Sequence, residues 1–171
     1  MFLKRVPHET VAAMTYVATH IAEQVPQLTL GLCVLQSDAI AAMAIAHTIG
    51  GTFIRVPYYT ETYVVDAGLM DSIAAETLRY RRFLGADVKI FADVHIKHGY
   101  PLAQRPIGLS ARDAEHRGMA DAILVTGLET GAETDPSDVK AVKEAVDFTP
   151  VIVASGVDEF NLPHYQAYAD G

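Results

Sequence analysis

The sequence has little of what marks several large classes of protein. It contains one cysteine, Cys33, so no disulfide can form within the chain and a reducing compartment is expected. Its 13 Lys and Arg stand against 21 Asp and Glu and do not cluster strongly, whereas a nucleic-acid surface needs a basic patch. No apolar run approaches the roughly 20 residues of a membrane span. A cytoplasmic protein with no nucleic-acid partner and no transmembrane segment is therefore expected.

What the sequence does contain is a series of alternating helix and strand patterns. Half of its 171 residues are apolar, enough for one domain with a sizeable core. Helical spacing of apolar residues begins at Val11, and Asp38 stands where it could cap a second helix. Strands are predicted at 28–35, 52–58, 88–98, 122–126 and 151–154, with helices near 38–48, 73–84, 110–117, 135–146 and 159–168. No antiparallel hairpin is predicted, so the pattern indicates a βαβ series with a parallel sheet.

Two architectures fit such a series, an open doubly wound sheet and a (β/α)8 barrel. A dinucleotide-binding sheet should carry a glycine-rich turn after its first strand, and the sequence has none. Polar residues at the ends of several strands favour the barrel, in which catalytic groups come from many strand ends. Five β/α units are too few for a complete barrel, which takes about 200 residues or more.

The strand predicted at 88–98 carries the strongest functional pattern. Its apolar residues occupy the even positions, while Asp93, His95 and Lys97 share the opposite face and approach the carboxyl end. A carboxylate beside an imidazole and an ammonium can perform acid–base chemistry, bind a metal or hold a phosphate. A buried ionic network inside a barrel is the structural alternative. A Schiff base on Lys97 is a less favoured hypothesis, since no carbonyl substrate is indicated.

Six segments resemble the BtpA family, also called BtpA/SgcQ. They are Arg-Val-Pro-His-Glu-Thr-Val-Ala-Ala-Met (5–14), Phe-Ile-Arg-Val (53–56), Ala-Ala-Glu-Thr-Leu-Arg (74–79), Phe-Ala-Asp-Val-His-Ile-Lys-His (91–98), Ala-Asp-Ala-Ile-Leu-Val-Thr-Gly (120–127) and Ile-Val-Ala-Ser-Gly-Val (152–157). The resemblance covers nearly the whole chain, in order. It implies a TIM (β/α)8-barrel type of fold with outer helices, and residues 1–171 as a single, partial barrel domain.

By this resemblance the chain corresponds to family strands three to seven. The first two strands and almost all of the eighth would be lacking, so the barrel is expected to be incomplete. A parallel sheet with two open edges exposes unpaired backbone groups. The sequence therefore predicts either aggregation or a homo-oligomer in which a second copy covers those edges.

Residues after several strands are candidates for ligand binding. Arg55 lies among apolar residues and needs an anionic partner, for which Asp93 on the neighbouring strand is suitable. The other candidates are Tyr58, Thr126, Gly127, Ser155 and Gly156. Small residues at strand ends let backbone N–H groups approach an anion, and barrels often bind phosphate after their last two strands. Acidic residues near the same ends, Glu129, Glu133 and Asp135, could instead hold a divalent cation.

Two classes of function remain open at this point. The first is an enzyme that acts on a small phosphorylated or sugar-like ligand at the barrel mouth, with lyase, isomerase or hydrolase-type chemistry. The second, implied by the family's photosystem I role, is a non-catalytic assembly factor that binds a protein and associates peripherally with a membrane. The polar row at Asp93, His95 and Lys97 favours the first class. The sequence assigns neither a metal nor a cofactor.

Overall fold

A computed structural model of the chain describes residues 4–171. Within these residues five α-helices and eight short strands follow one another. Their bounds are α1 His8–Gln24, β1 Gly31–Leu32, α2 Ala39–Ile49, β2 Phe53–Val56, β3 Tyr63–Val65, β4 Gly68–Met70, α3 Ala74–Leu84, β5 Lys89–Val94, β6 Gly99–Pro101, α4 Ile107–His116, β7 Ala122–Val125, α5 Pro136–Ala145 and β8 Val151–Val153. None of these helices is long and apolar enough to cross a membrane.

The main sheet has five parallel strands in the order β1-β2-β5-β7-β8. This confirms the predicted βαβ series of five strands. A second, antiparallel sheet in the order β4-β3-β6 corrects the expectation that the chain has no hairpin. Its β3 and β4 lie between β2 and α3, and its β6 follows β5. Two segments that follow different strands are thus joined into one unit.

The helices cover one face of the main sheet. Alternate strand residues such as Ile54, Ile90 and Ile123 are fully buried in the main hydrophobic cluster, together with helix residues such as Met43 and Val142. The opposite face carries Phe53, Arg55, Phe91 and Asp93, and we refer to these four residues as the open face. The two phenylalanine rings stack there with their centroids 4.3 Å apart. Period-two alternation along β2 and β5 therefore separates a helix-covered face from a more polar face.

Local sequence signals account for how the helices begin and end. Asp38 caps α2, because its Oδ1 accepts the backbone N–H of Ala41 at 3.0 Å, as its position predicted. Gly50 and Gly85 end α2 and α3 with φ of 71° and 63°, the left-handed conformation that favours glycine. Pro136 stands in the first turn of α5, where its missing N–H is not needed.

All five predicted strands and the last predicted helix are shorter in the structure, and three of these elements differ most. The strand predicted at 28–35 is Gly31–Leu32 alone, and the helix predicted at 159–168 contains one 3-10 turn at Leu162–His164. The strand predicted at 88–98 ends at Val94, because His95 has a φ of 47° and leaves the extended conformation. Beyond Val94, the apolar–polar alternation no longer reports the face of a sheet.

Candidate functional site

The candidate site lies at the edge of the main sheet where β2, β5, β7 and β8 end, here called the mouth. Arg55 on β2 and Asp93 on β5 form a bidentate pair there. Arg55 Nε and Nη2 donate to the two carboxylate oxygens of Asp93 at 2.9 and 2.7 Å. The predicted partnership of these two residues is therefore confirmed.

This ion pair combines a fully buried carboxylate with a partly exposed guanidinium. The side chain of Asp93 is 0% exposed and that of Arg55 is 27% exposed. Burial raises the pKa of Asp93, and the hydrogen bonds and charge of Arg55 oppose that rise. The pKa of Arg55 is raised in turn by its bond to Asp93. The pair is thus a fixed, nearly neutral unit of the mouth.

Lys97 lies beside this pair. Its Nζ donates to Ser155 Oγ at 3.3 Å, and its backbone N–H donates to Thr126 Oγ1 at 3.2 Å. Three residues that follow three different strands, β5, β7 and β8, are therefore brought together. The structure shows no ion pair to Lys97 among residues 4–171, although its charge acts on Asp93. Within that range the Lys97 ammonium is therefore not paired with a carboxylate.

A cavity of about 210 Å³ opens next to these groups. Arg55, Lys97 and Tyr58 line it together with Cys33, Leu35, Gln36, Pro57, Ile96 and His98. Tyr58 is 3% exposed and packs against Tyr63 under the antiparallel sheet, so it forms part of the wall. Burial raises the pKa of the Cys33 thiol, which makes this cysteine a poor nucleophile at neutral pH. This volume lies below the roughly 300–1,000 Å³ that is usual for ligand pockets, so it has room only for a very small ligand or for part of a larger one.

His95 does not join Asp93 and Lys97 as the shared parity predicted. The positive φ at His95 turns its ring toward α4, where Nε2 lies 3.1 Å from Ser110 Oγ. Ser110 Oγ donates to Glu61 Oε1 at 2.8 Å. Burial lowers the pKa of His95, while the carboxylates of Glu61 and Asp138 oppose the shift, so the ring is neutral at physiological pH.

The two predicted glycines at the mouth are in close contact with the chain's own backbone. A Cβ on Gly127 would lie 2.4 Å from the carbonyl oxygen of Ala132, and one on Gly156 would lie 2.1 Å from the same oxygen. This contact by itself requires small residues at both positions. It also places a carbonyl acceptor, which repels anions, where the sequence placed a phosphate.

A second cavity, of about 430 Å³, lies above β7 and α5. Thr126 and Gly127 line it together with Leu128, Glu133, Thr134, Asp135, Pro136, Asp138 and His164. Asp135 is engaged as the cap of α5, and burial together with the charge of Asp135 raises the pKa of Asp138. The predicted site residues are thus divided between two cavities. Arg55, Tyr58 and Lys97 line the 210 Å³ cavity, and Thr126 and Gly127 line the acidic cavity.

A cluster of possible metal ligands lies at the opposite edge of the sheet, where strands begin. Glu115, His116 and Asp147 offer atoms within 4.8 Å of one another. The oxygens of Glu115, however, already accept the backbone N–H groups of residues 147, 148 and 149 at 2.8–3.2 Å. We assign Glu115 to holding the segment that leads into β8. Residues at this end of a barrel usually stabilise the fold rather than take part in catalysis.

Sequence reasoning missed Ser110, which contacts the His95 ring, and Glu61, which accepts a hydrogen bond from Ser110. Glu61 lies just before β3, in the unpredicted hairpin, and Ser110 is buried on α4 among apolar residues. The run Tyr63 to Met70 contains Asp66-Ala67-Gly68 between apolar residues, which is a turn signal that could have revealed the hairpin.

The sequence comparisons find a family and several relatives. The model of the BtpA family matches residues 1–171. An uncharacterized protein of Methanocaldococcus jannaschii is 39% identical over 170 residues, which is 99% of this chain and 64% of that protein. The photosystem I biogenesis protein BtpA of Synechocystis is 38% identical over 98% of this chain and 58% of its own length. The putative sgc region protein SgcQ of Escherichia coli is 32% identical over 99% and 63%. The chain thus spans somewhat under two thirds of these relatives.

Solved structures with a similar fold have low sequence identity. FabK from Thermotoga maritima superposes with a TM-score of 0.64 at 18% identity, over 93% of this chain and 44% of its own. The YdjI aldolase from Escherichia coli K12 gives a TM-score of 0.58 at 14% identity, over 92% and 58%. At such identities only the fold is shown. It is the TIM-barrel type predicted from the sequence, here with five parallel strands and outer helices.

Proposed function

The chain belongs to the BtpA family, and from this membership and the geometry of the mouth we propose that it binds a small phosphorylated or sugar-like ligand there. Lys97 is the observation that carries the proposal. Its ammonium is held at the mouth by a neutral hydroxyl, that of Ser155, and lies beside the 210 Å³ cavity. A charge held this way attracts an anionic group more strongly than one already paired with a carboxylate.

The anion is expected at Lys97 and Ser155 rather than at the two glycines. Gly127 and Gly156 are closed off by the carbonyl of Ala132, and the neighbouring cavity is acidic. Arg55 adds hydrogen-bond donors on the wall of the cavity, although Asp93 neutralises its charge. The ligand would therefore place its phosphate against Lys97 and its hydroxylated part against the cavity wall.

The acid–base roles divide in the same way. Asp93 is engaged with Arg55 and orients it, whereas neutral His95 is suited to accept a proton. Lys97 would stabilise negative charge that develops on a bound ligand. These roles fit a lyase, isomerase or hydrolase-type reaction, with Asp93 as a positioning group rather than a proton carrier.

Calorimetric titration with ribose 5-phosphate, ribose and inorganic phosphate tests the proposal. We expect the phosphate ester to bind measurably and ribose not to bind. Lys97→Met should weaken binding of the ester at least about tenfold, a loss of about 1.4 kcal/mol or more. The matched control is Lys140→Met, because Lys140 is an exposed lysine on α5 that pairs with Glu144. Equal affinity of Lys97→Met and the control would refute the anion-binding role.

A second candidate is a non-catalytic assembly factor, which the name of the Synechocystis relative suggests. An exposed apolar row on the antiparallel sheet favours it. Val64 pairs with Leu69 on one side and Tyr100 on the other, and these side-by-side residues are 45–73% exposed. A double variant, Leu69→Ser with Tyr100→Ser, should retain binding of the phosphate ester but lose any protein partner. Loss of the partner on Lys97→Met instead would contradict this candidate.

A further inference from the structure

His95 is held at two points by a closed set of hydrogen bonds that ends on Glu61. Its backbone N–H donates to the Tyr63 hydroxyl at 3.1 Å, and its ring Nε2 lies 3.1 Å from Ser110 Oγ. Tyr63 and Ser110 each donate onward to a different oxygen of Glu61, at 3.2 and 2.8 Å. One carboxylate thus anchors both contacts of one histidine.

Counting protons along this set fixes the state of the ring. A carboxylate only accepts hydrogen bonds, and a serine hydroxyl has a single proton. Since Ser110 gives that proton to Glu61, its oxygen can only accept from His95, so Nε2 must carry a hydrogen. Neutral imidazole has one N–H, which leaves Nδ1 bare. Among residues 4–171 the structure shows no hydrogen bond to Nδ1.

We propose that Glu61, Ser110 and Tyr63 are positioning residues that hold His95 in its Nε2–H tautomer and leave Nδ1 as the proton acceptor of the ring. The arrangement has the logic of an oriented general base, in which a group behind the ring selects which nitrogen reacts. The backbone bond to Tyr63 fixes the residue in its left-handed conformation, with φ of 47°. Ser110 is fully buried, so its hydroxyl has little choice of partners.

The charged groups around the ring are consistent with this role. Glu61 and Asp138 favour the protonated ring, while burial and Arg105 disfavour it, and the net effect lowers the pKa of His95. Arg105 Nε lies 3.4 Å from Glu61 Oε1, and Arg105 Nη2 lies 2.8 Å from Asp113 Oδ2. The ring is therefore available as a base. The access of a substrate to the ring rests on the proposed function, whereas the tautomer follows from the hydrogen bonds alone.

Long-range ¹H–¹⁵N NMR correlation of the histidine rings in the ligand-free protein tests the inference. The signals of His95 are identified by their loss in His95→Gln. In the wild type, at a pH above the pKa of His95, we expect the ¹⁵N chemical shift of Nδ1 far downfield, as for an unprotonated nitrogen. The ¹⁵N chemical shift of Nε2 should lie upfield, as for a protonated nitrogen. The reverse pattern would overturn the proposal, and because it is read from the wild type it does not depend on whether Ser110→Ala and Glu61→Ala fold.

Two variants then assign the cause. In Ser110→Ala the fixed tautomer should relax, so the two nitrogen shifts move toward each other. In Glu61→Ala the Ser110 proton is free to turn to Nε2, and a population with protonated Nδ1 should arise. Glu144→Ala, which removes an exposed glutamate of α5, should leave the signals of His95 unchanged. Spectra of Ser110→Ala and Glu61→Ala identical to that of the wild type would show that these residues do not position the ring.

Discussion

The buried carboxylate of Glu115 should give the protein a defined loss of stability in acid. Glu115 is 2% exposed, and its oxygens accept the backbone N–H groups of residues 147, 148 and 149. Burial raises the pKa of this group, but the hydrogen bonds outweigh it and lower the pKa from 4.5 to about 2. The folded state therefore binds this proton more weakly than the unfolded chain does.

The magnitude follows from linkage. Each pH unit of difference between the folded and unfolded pKa is worth about 1.4 kcal/mol, so Glu115 contributes about 3 kcal/mol. Because the folded pKa is depressed, this stabilisation is fully present above pH 5 and is lost as the pH falls toward 2. Other carboxylates titrate over the same range, so only a comparison with a variant isolates the contribution of Glu115.

Glu115→Gln provides that comparison, because it keeps the size of the side chain and removes the charge. Urea denaturation followed by circular dichroism should show the variant about 2–3 kcal/mol less stable at pH 7, with the gap narrowing steadily below pH 5. The control Glu144→Gln, at an exposed position on α5, should change stability by less than about 0.5 kcal/mol. A gap between Glu115→Gln and wild type that stays constant from pH 7 to pH 3 would refute the reasoning.

Three further predictions concern stability and are measured by the same denaturation assay. Asp93→Ala should cost about 3 kcal/mol because it leaves Arg55 unpaired, and adding Arg55→Met should recover part of that loss; additive effects would contradict a coupled pair. Gly156→Ala should lower the free energy of unfolding by about 2–4 kcal/mol, because the new Cβ would meet the carbonyl oxygen of Ala132. Gly131→Ala, at a position with open space, should lower it by about 1 kcal/mol, and equal losses for the two variants would count against the contact. Tyr59→Phe should cost about 1–2 kcal/mol because it removes a buried hydrogen bond to the carbonyl of Gly118, and an unchanged midpoint would exclude that role.

The series of parallel strands in the main sheet could be predicted because each of its strands follows a helix along the chain. The pairing of Arg55 with Asp93 could also be predicted, since a charge within an apolar strand needs a partner on a neighbouring strand. The sequence even separated the two faces of β5 correctly up to Val94.

The rest of the site depended on a backbone conformation that the amino-acid sequence does not reveal. The alternation in Val94-His95-Ile96-Lys97 continues unbroken, yet the chain leaves the sheet at His95, where φ is 47°. Ile96 is buried as the pattern suggests, but in the cluster under the antiparallel sheet rather than against the helices. For the same reason the link from His95 through Ser110 to Glu61 could not be foreseen, because Glu61 and Ser110 are 34 and 15 residues away from His95 along the chain.

The antiparallel sheet β4-β3-β6 links the loop that follows β2 to the loop that follows β5. In most barrels such loops change independently from one relative to the next, which lets a single scaffold acquire new specificities one loop at a time. Here the register of Val64 with both Leu69 and Tyr100 couples the two segments residue by residue. We therefore expect substitutions in one of these loops to be accompanied by substitutions in the other, so that this side of the mouth evolves as a single unit.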